Sequence, residues 1–207
     1  MSVYTPLKIG FVHIPRTAGT SVTNWLIKNI SGSTQLKREQ SHESASLLLQ
    51  EFPEINYFFT IIRNPWSRMI SMYRFHSTVL PKEIDTNYFS DNKFSSDEFK
   101  QKVKSISFDE YIEKYVHTPT NVWYNSVTPQ IKWLDLPIDL IIKYENLNTE
   151  FEKIQKLFRN KNTLPHLNKH GHSNQNHYTK FYNESTKKRV AEIFEEDIET
   201  FKYRFEQ

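Results

Sequence analysis

The stretch His13-Ile-Pro-Arg-Thr-Ala-Gly-Thr-Ser21 constrains this chain more than any other. It overlaps the end of a short apolar run rich in Ile, Val and Phe, residues 8–14, and leads into a segment where Val22, Trp25, Leu26 and Ile30 recur with helical spacing. A strand that turns tightly into a helix directs the backbone N–H groups of the turn, and the positive end of the helix dipole, towards one anion. Gly19 allows close backbone approach to a phosphate. Thr17, Thr20 and Ser21 add hydroxyl donors, and Arg16 adds a cation where charge would develop on a leaving phosphate. A Gly/Ser/Thr-rich turn taken alone is more often an ordinary strand-to-helix turn with a Ser/Thr cap, and here its context reverses that preference.

A second unit of the same design begins at Tyr57-Phe-Phe-Thr-Ile-Ile62. It breaks at Arg63-Asn-Pro65 and continues as a helical pattern over 66–75. Arg63 at the strand end can grip a phosphate as a fork, and Ser71, about two helical turns on, can add a hydroxyl. The competing reading makes Arg63 and Arg68 surface or ion-pair residues and Ser71 a small packing residue. Between the two units, residues 42–52 carry Ala45, Leu48 and Leu49 at helical spacing and supply the crossover that parallel strands require. Residues 139–143, Asp-Leu-Ile-Ile-Lys, read as a further buried strand. The expected architecture is α/β, a central parallel and buried sheet flanked by helices.

The rest of the chain is read more coarsely. Residues 80–106 are polar with few apolar anchors and fit an exposed loop or a mobile lid. Ser107-Phe-Asp-Glu110 has the pattern of a capping box and opens a helix over 107–115. Residues 147–158 form an amphipathic helix. The last helix, 184–201, puts Val190, Ile193, Phe194 and Ile198 on one face and follows a loop over 160–182 crowded with His, Asn and Lys. With 207 residues, 37% of them hydrophobic, and no compositional break, one domain spanning 1–207 is expected.

Composition excludes several chemistries. Cysteine is absent, which removes disulfides, thiolate metal sites and thiol nucleophiles. A net charge of +3 is too weak to argue for a nucleic-acid partner. No stretch approaches the ~20 apolar residues of a membrane span, and the N-terminus lacks the pattern of an export signal, so a cytoplasmic protein is expected. The histidines at 166, 170, 172 and 177 cluster without a helical i,i+4 pair and a carboxylate, and read as a solvated polar loop, not a metal site. Trp25, Trp66, Trp123 and Trp133 read as core before they read as adenine-stacking residues.

The first loop differs from the usual nucleotidase loop, in which a Lys directly precedes the Ser/Thr; here Gly19-Thr20-Ser21 stands there and the cation is upstream, at Arg16. The only acid placed after an apolar strand to hold magnesium is Glu145, and it follows Lys143 and Tyr144, not an unbroken apolar run. Metal-free transfer of a group with less negative charge than phosphoryl fits better, and sulfuryl is such a group. Its acceptor hydroxyl needs a base. His42, just before a helix and between the two donor motifs, is the candidate, against a plain capping or surface role; His13 reads as structural.

HIPRTAGTS at 13–21 and RNPWSRMISMY at 63–73 together resemble the donor signature of sulfotransferases that use 3'-phosphoadenosine 5'-phosphosulfate, most closely the carbohydrate-type, family-2 branch. Ser41-His42-Glu-Ser-Ala45, Pro129-Gln130-Ile-Lys-Trp133, Lys143-Tyr-Glu145-Asn-Leu147, Leu164-Pro165 and residues 197–205 extend the resemblance over nearly the whole chain. The resemblance implies the nucleotide-kinase-like fold that these enzymes share. It also implies sulfuryl transfer to a hydroxyl on a carbohydrate or other small metabolite, with no metal. By the same resemblance Arg16, Thr17, Ala18, Gly19, Thr20 and Ser21 cradle the 5'-phosphosulfate, Arg63 and Ser71 bind the 3'-phosphate, and Ser173, His177 and Tyr178 help to enclose the nucleotide. His42 is the base, at a position where the family tends to carry histidine, and Arg16 stabilises the leaving phosphate, where the family mostly has Lys. Two other classes stay open: a nucleotide-binding module without turnover, and a magnesium-dependent phosphoryl-transferring kinase, against which the missing Lys before Ser21 argues. The acceptor and the oligomeric state are not legible; Lys37, Arg38, Arg74 and His76 fit either a basic rim for an anionic glycan or solvated faces.

Overall fold

Ile9, Phe11, Phe59, Ile61 and Ile142 alternate along three neighbouring strands and so fall on one face of a sheet. In the computed structural model, which describes residues 2–36, 43–78, 96–116, 128–165 and 177–206, this sheet has five strands. They are β1 (Val3–Thr5), β2 (Ile9–Val12), β3 (Thr34–Gln35), β4 (Tyr57–Ile62) and β5 (Leu140–Lys143), in the order β3-β1-β2-β4-β5. The parallel core expected from the sequence is β2, β4 and β5, with Phe11 opposite Phe59 and Ile61 opposite Ile142. Outside it, β1 runs antiparallel to both β2 and β3, so the sheet is mixed. A three-residue strand before a tight turn leaves too short an alternation to read in advance.

The chain packs as two compact units, Met1–Arg63 with Gln130–Gln175, and Asn64–Pro129 with Asn176–Gln207. The sheet belongs to the first. There α1 (Gly19–Asn29) buries Val22, Trp25 and Leu26, and α6 (Leu147–Leu157) buries Leu147, Phe151 and Ile154 at i, i+4 and i+7, all in one cluster with the strand residues. The Trp25 ring stands edge-on to Phe151 at 5.2 Å while its N–H donates to the Asn162 carbonyl at 2.9 Å. The short α2 (Ala45–Glu51) is capped by the Ser44 hydroxyl and buries Ala45 and Leu48. β5 departs from the buried strand expected: it lies at the end of the sheet order, and Ile141 is 39% exposed.

The second unit is helical: α3 (Pro65–Thr78), α4 (Ser96–Ser105), α5 (Phe108–Tyr115), α7 (Glu184–Ile193) and α8 (Glu195–Phe201). Pro65 at the first position of α3 costs no hydrogen bond, and the Asn64 side-chain oxygen accepts from the Trp66 and Ser67 N–H groups. Ser107 and Glu110 form the expected capping box. Two readings of the sequence are corrected here. Residues 80–106 are not all loop, because 96–105 are helical; Val103 is buried and Ile106 packs on the core, enough to anchor a polar helix with good helix formers. The last helix breaks at Phe194, whose backbone leaves the helical region, and Glu195, Glu196 and Asp197 restart it with acid in its first turn.

His76 is fully buried, with Nδ1 2.8 Å from the Tyr111 hydroxyl, so it takes no part in a basic rim. It shares the inner stripe of α3 with Met69 and Met72. Arg68 is buried too, donating to the Thr128 carbonyl at 3.0 Å, not exposed on the surface. Trp25, Trp66 and Trp133 are core residues. Trp123, Lys37, Arg38 and residues 80–95 lie outside the described residues.

Candidate active site

The loop between β2 and α1 owes its shape to two residues without glycine's freedom. Arg16 has φ 68° and Ala18 has φ 72°, both left-handed, with Thr17 between them on the ordinary side. Each such residue costs about 1–2 kcal/mol, and the alternation of sign curls successive N–H groups towards one side as an anion-binding nest. Ala18 is the N-cap of α1 and offers no side-chain cap, so the first-turn amides are not closed off by a hydroxyl. Thr17 is buried and its hydroxyl donates to the Ile14 carbonyl at 2.9 Å. That proton is spent within the loop, so Thr17 offers an anion its backbone N–H and not the hydroxyl donor expected. Thr20 is half-buried and Ser21 is buried.

Gly19 also serves a purpose beyond the one expected. A Cβ there would stand 1.9 Å from Cδ2 of His13, whose ring fills the space and stacks on Phe11. His13 is therefore structural, as read, and Gly19 is needed for the imidazole before any phosphate arrives.

Arg63 follows β4, and its guanidinium reaches back to the loop. Its Nη1 donates to the Arg16 carbonyl at 3.2 Å, and its guanidinium carbon lies 4.1 Å from the centre of the Tyr144 ring. Burial, reinforced by the charge of Arg63, holds the Arg16 guanidinium down to about 10. Two cations and a curled backbone in a partly desolvated place fit a ligand with more than one phosphate group. Gln130 fixes the strand end: the Arg63 N–H donates to its Oε1 and its Nε2 donates to the Arg63 carbonyl, both at 2.8 Å.

Gln130 and Tyr144 stood in the sequence among the segments that resemble the family, without a role. The available signal was a lone glutamine between Pro129 and an apolar turn, too common to single out.

In the second unit, Ser71 is half-buried on α3. Tyr178 opens a short 3-10 turn (Tyr178–Phe181), and its hydroxyl donates to the Phe205 carbonyl, so the phenol proton is committed to the C-terminal tail. His177 packs on the Tyr178 ring, with Nδ1 2.9 Å from the Thr179 hydroxyl. His42, Ser173, His166, His170 and His172 lie outside the described residues. Residue 43 does not: the Ser2 hydroxyl donates to the Glu43 carbonyl at 3.3 Å and accepts the His13 N–H at 3.2 Å. Glu145 is exposed, and among the described residues no group of three His, Asp or Glu side chains could hold a metal ion. No described helix is long and apolar enough to cross a membrane.

Comparison with the curated proteins and with the solved structures found no match. The family model described as Sulfotransferase family does match, over residues 3–204, and so takes in the curled loop, Arg63 and the α/β frame that holds them. The chain belongs to the sulfotransferase family and is a transferase dependent on 3'-phosphoadenosine 5'-phosphosulfate.

Proposed function

We propose that this enzyme moves the sulfuryl group to a hydroxyl on a carbohydrate or other small metabolite, without a metal ion. The observation that carries the reading is the pairing of Arg16 with Arg63 at a loop whose amides are curled for an anion. The bound donor supplies an activated sulfuryl group on a phosphate that can leave. Arg16, the loop amides before Ser21 and the Ser21 side chain neutralise the charge that grows on that phosphate, the Ser21 N–H itself being donated to the Ala18 carbonyl at 3.0 Å, and no metal ion is needed. Arg63 and Ser71 hold the 3'-phosphate. Tyr178, with Ser173 before it, lines the nucleotide from the C-terminal side, and Tyr178 does so with its ring, because its hydroxyl is bonded to Phe205.

His42 takes the proton of the acceptor hydroxyl as the oxygen attacks. The bridge from Glu43 through the Ser2 hydroxyl to His13 supports this choice, since it ties the residue after His42 to the first residue of the loop. The carbohydrate-type resemblance supports the acceptor class. The test is transfer of label from radioactive donor to a panel of sugars and small alcohols in the presence of a chelator. A sulfate ester on a sugar supports the reading; transfer that needs added magnesium, or that labels only phenols, overturns it.

A further inference from the structure

Arg63 is held at three places. Its peptide is clasped on both sides by the Gln130 carboxamide, whose side chain is fully buried. Its guanidinium donates to the Arg16 carbonyl, and that same guanidinium lies over the Tyr144 ring. An arginine on the solvent side of a strand end ordinarily keeps its rotamer freedom, and like charge from Arg16 would drive it outwards. The ring offers the face of its quadrupole to the cation and opposes that drive. The clasp fixes where the side chain starts, since its two bonds, one to the Arg63 N–H and one to the Arg63 carbonyl, hold the two peptide groups that flank its Cα.

The three contacts come from separate parts of the sequence. Gln130 opens a 3-10 turn (Gln130–Trp133) and Tyr144 opens another (Tyr144–Asn146) directly after β5, which pairs with β4 along Ile62 and Lys143. The ring therefore reaches Arg63 from the adjacent strand. Among the described residues Tyr144 is one of four large hydrophobic side chains left exposed, at 37%. The ring belongs to neither buried cluster of the molecule, and Arg63 lies against its face.

We propose that Gln130 and Tyr144 are positioning residues that hold Arg63 ready for the 3'-phosphate and so set the enzyme's preference for a 3'-phosphorylated nucleotide. The inference rests on the donor reading above. It predicts a selective effect: nucleotides with and without the 3'-phosphate share every other contact, including the Arg16 loop that Arg63 touches, so loosening Arg63 weakens the first more than the second.

The test is calorimetric titration of 3'-phosphoadenosine 5'-phosphate and of adenosine 5'-phosphate into the full chain and into Tyr144→Leu, Tyr144→Phe and Gln130→Met, with Arg63→Ala as reference. Tyr144→Leu is expected to cut the preference for the 3'-phosphorylated nucleotide by about two- to fivefold, the span of one exposed cation–π contact, with a smaller change in the affinity for adenosine 5'-phosphate. Tyr144→Phe keeps a ring and is expected to keep the preference. Gln130→Met, which fills the same space without either hydrogen bond, is expected to lose preference in the same direction; thermal unfolding shows whether it folds, and the exposed Tyr144 variants decide the matter if it does not. A wild type that prefers the 3'-phosphorylated nucleotide, an Arg63→Ala that loses the preference and a Tyr144→Leu that keeps it would overturn this inference and leave the donor reading standing. A wild type with no preference would overturn both.

Discussion

The imidazole of His13 occupies the place where Gly19 would carry a side chain, with Cδ2 1.9 Å from the position of a Cβ. The start of α1 and the end of β2 are thereby locked together through one ring, and the shape of the loop between them depends on a contact that involves no ligand. Gly19→Ala is expected to destabilise the protein by about 1–3 kcal/mol, the usual cost of overpacking a filled site. Combining it with His13→Ala is expected to return part of that loss, because the ring that clashes is gone. Denaturant midpoints of the two single variants and the double variant measure the coupling, and purely additive losses would show that the ring moves aside freely.

Removing the charge of Arg63 tests the donor site directly. Arg63→Ala is expected to weaken 3'-phosphoadenosine 5'-phosphate by about 1.5–3 kcal/mol, the range for a charged hydrogen bond, with no magnesium present. Calorimetry reads this, and raised salt is expected to shrink the difference because exposed charge is screened. Equal affinity in wild type and variant would remove Arg63 from the site.

The base and the loop cation bound the pH range of activity. If His42 is the base it works unprotonated, so kcat/KM is expected to rise with pH on its acid side, and turnover is expected to be lost in His42→Ala, whose affinity for 3'-phosphoadenosine 5'-phosphate stays close to wild type. Arg16 works protonated, and burial with Arg63 nearby holds it down to about 10, so kcat/KM is expected to fall as pH rises through about 10. The sign for stability is opposite. The unfolded chain keeps the Arg16 proton to higher pH than the folded one, so this group adds no pH dependence below about 10 and becomes less destabilising above it. A pH–rate profile of wild type and His42→Ala, alongside melting temperatures over the same range, separates the two effects.

A stability prediction in the second unit is independent of any ligand. Ser107→Ala removes the side-chain acceptor for the Glu110 N–H, 3.2 Å away, and one side of the capping box of α5. A loss of about 1 kcal/mol is expected, read as a lower denaturant midpoint at unchanged slope, with donor affinity unaffected.

Much of this was legible because the signals were local. The two strand-to-helix units could be read from apolar runs that end at Pro15 and Pro65, and the Ser107 cap from a four-residue pattern. What escaped reading depended on the third dimension. Thr17 looks like a phosphate donor until its hydroxyl is seen bonded to the Ile14 carbonyl inside the folded loop, and His76 looks like surface charge until α3 is seen to turn it towards Tyr111. The helix of 96–105 was hidden because polar residues surround Val103, which is buried, and conceal the period. Gln130 could not be assigned at all: a glutamine that clasps a backbone 67 positions away leaves no local pattern.

The Arg16–Arg63 pairing has a consequence for the choice of side chain at position 16, where the family mostly carries lysine. An ammonium begins with a lower affinity for its proton and yields it more readily when buried beside another cation. Pushed down by the desolvation and neighbouring charge that act on Arg16, a lysine would drift towards the range in which it is partly neutral at working pH. A guanidinium under the same pressure stays fully ionised. Arginine thus makes the loop proof against accidental neutralisation, and lets the strand-end cation come close enough to touch the loop's own backbone without silencing its partner.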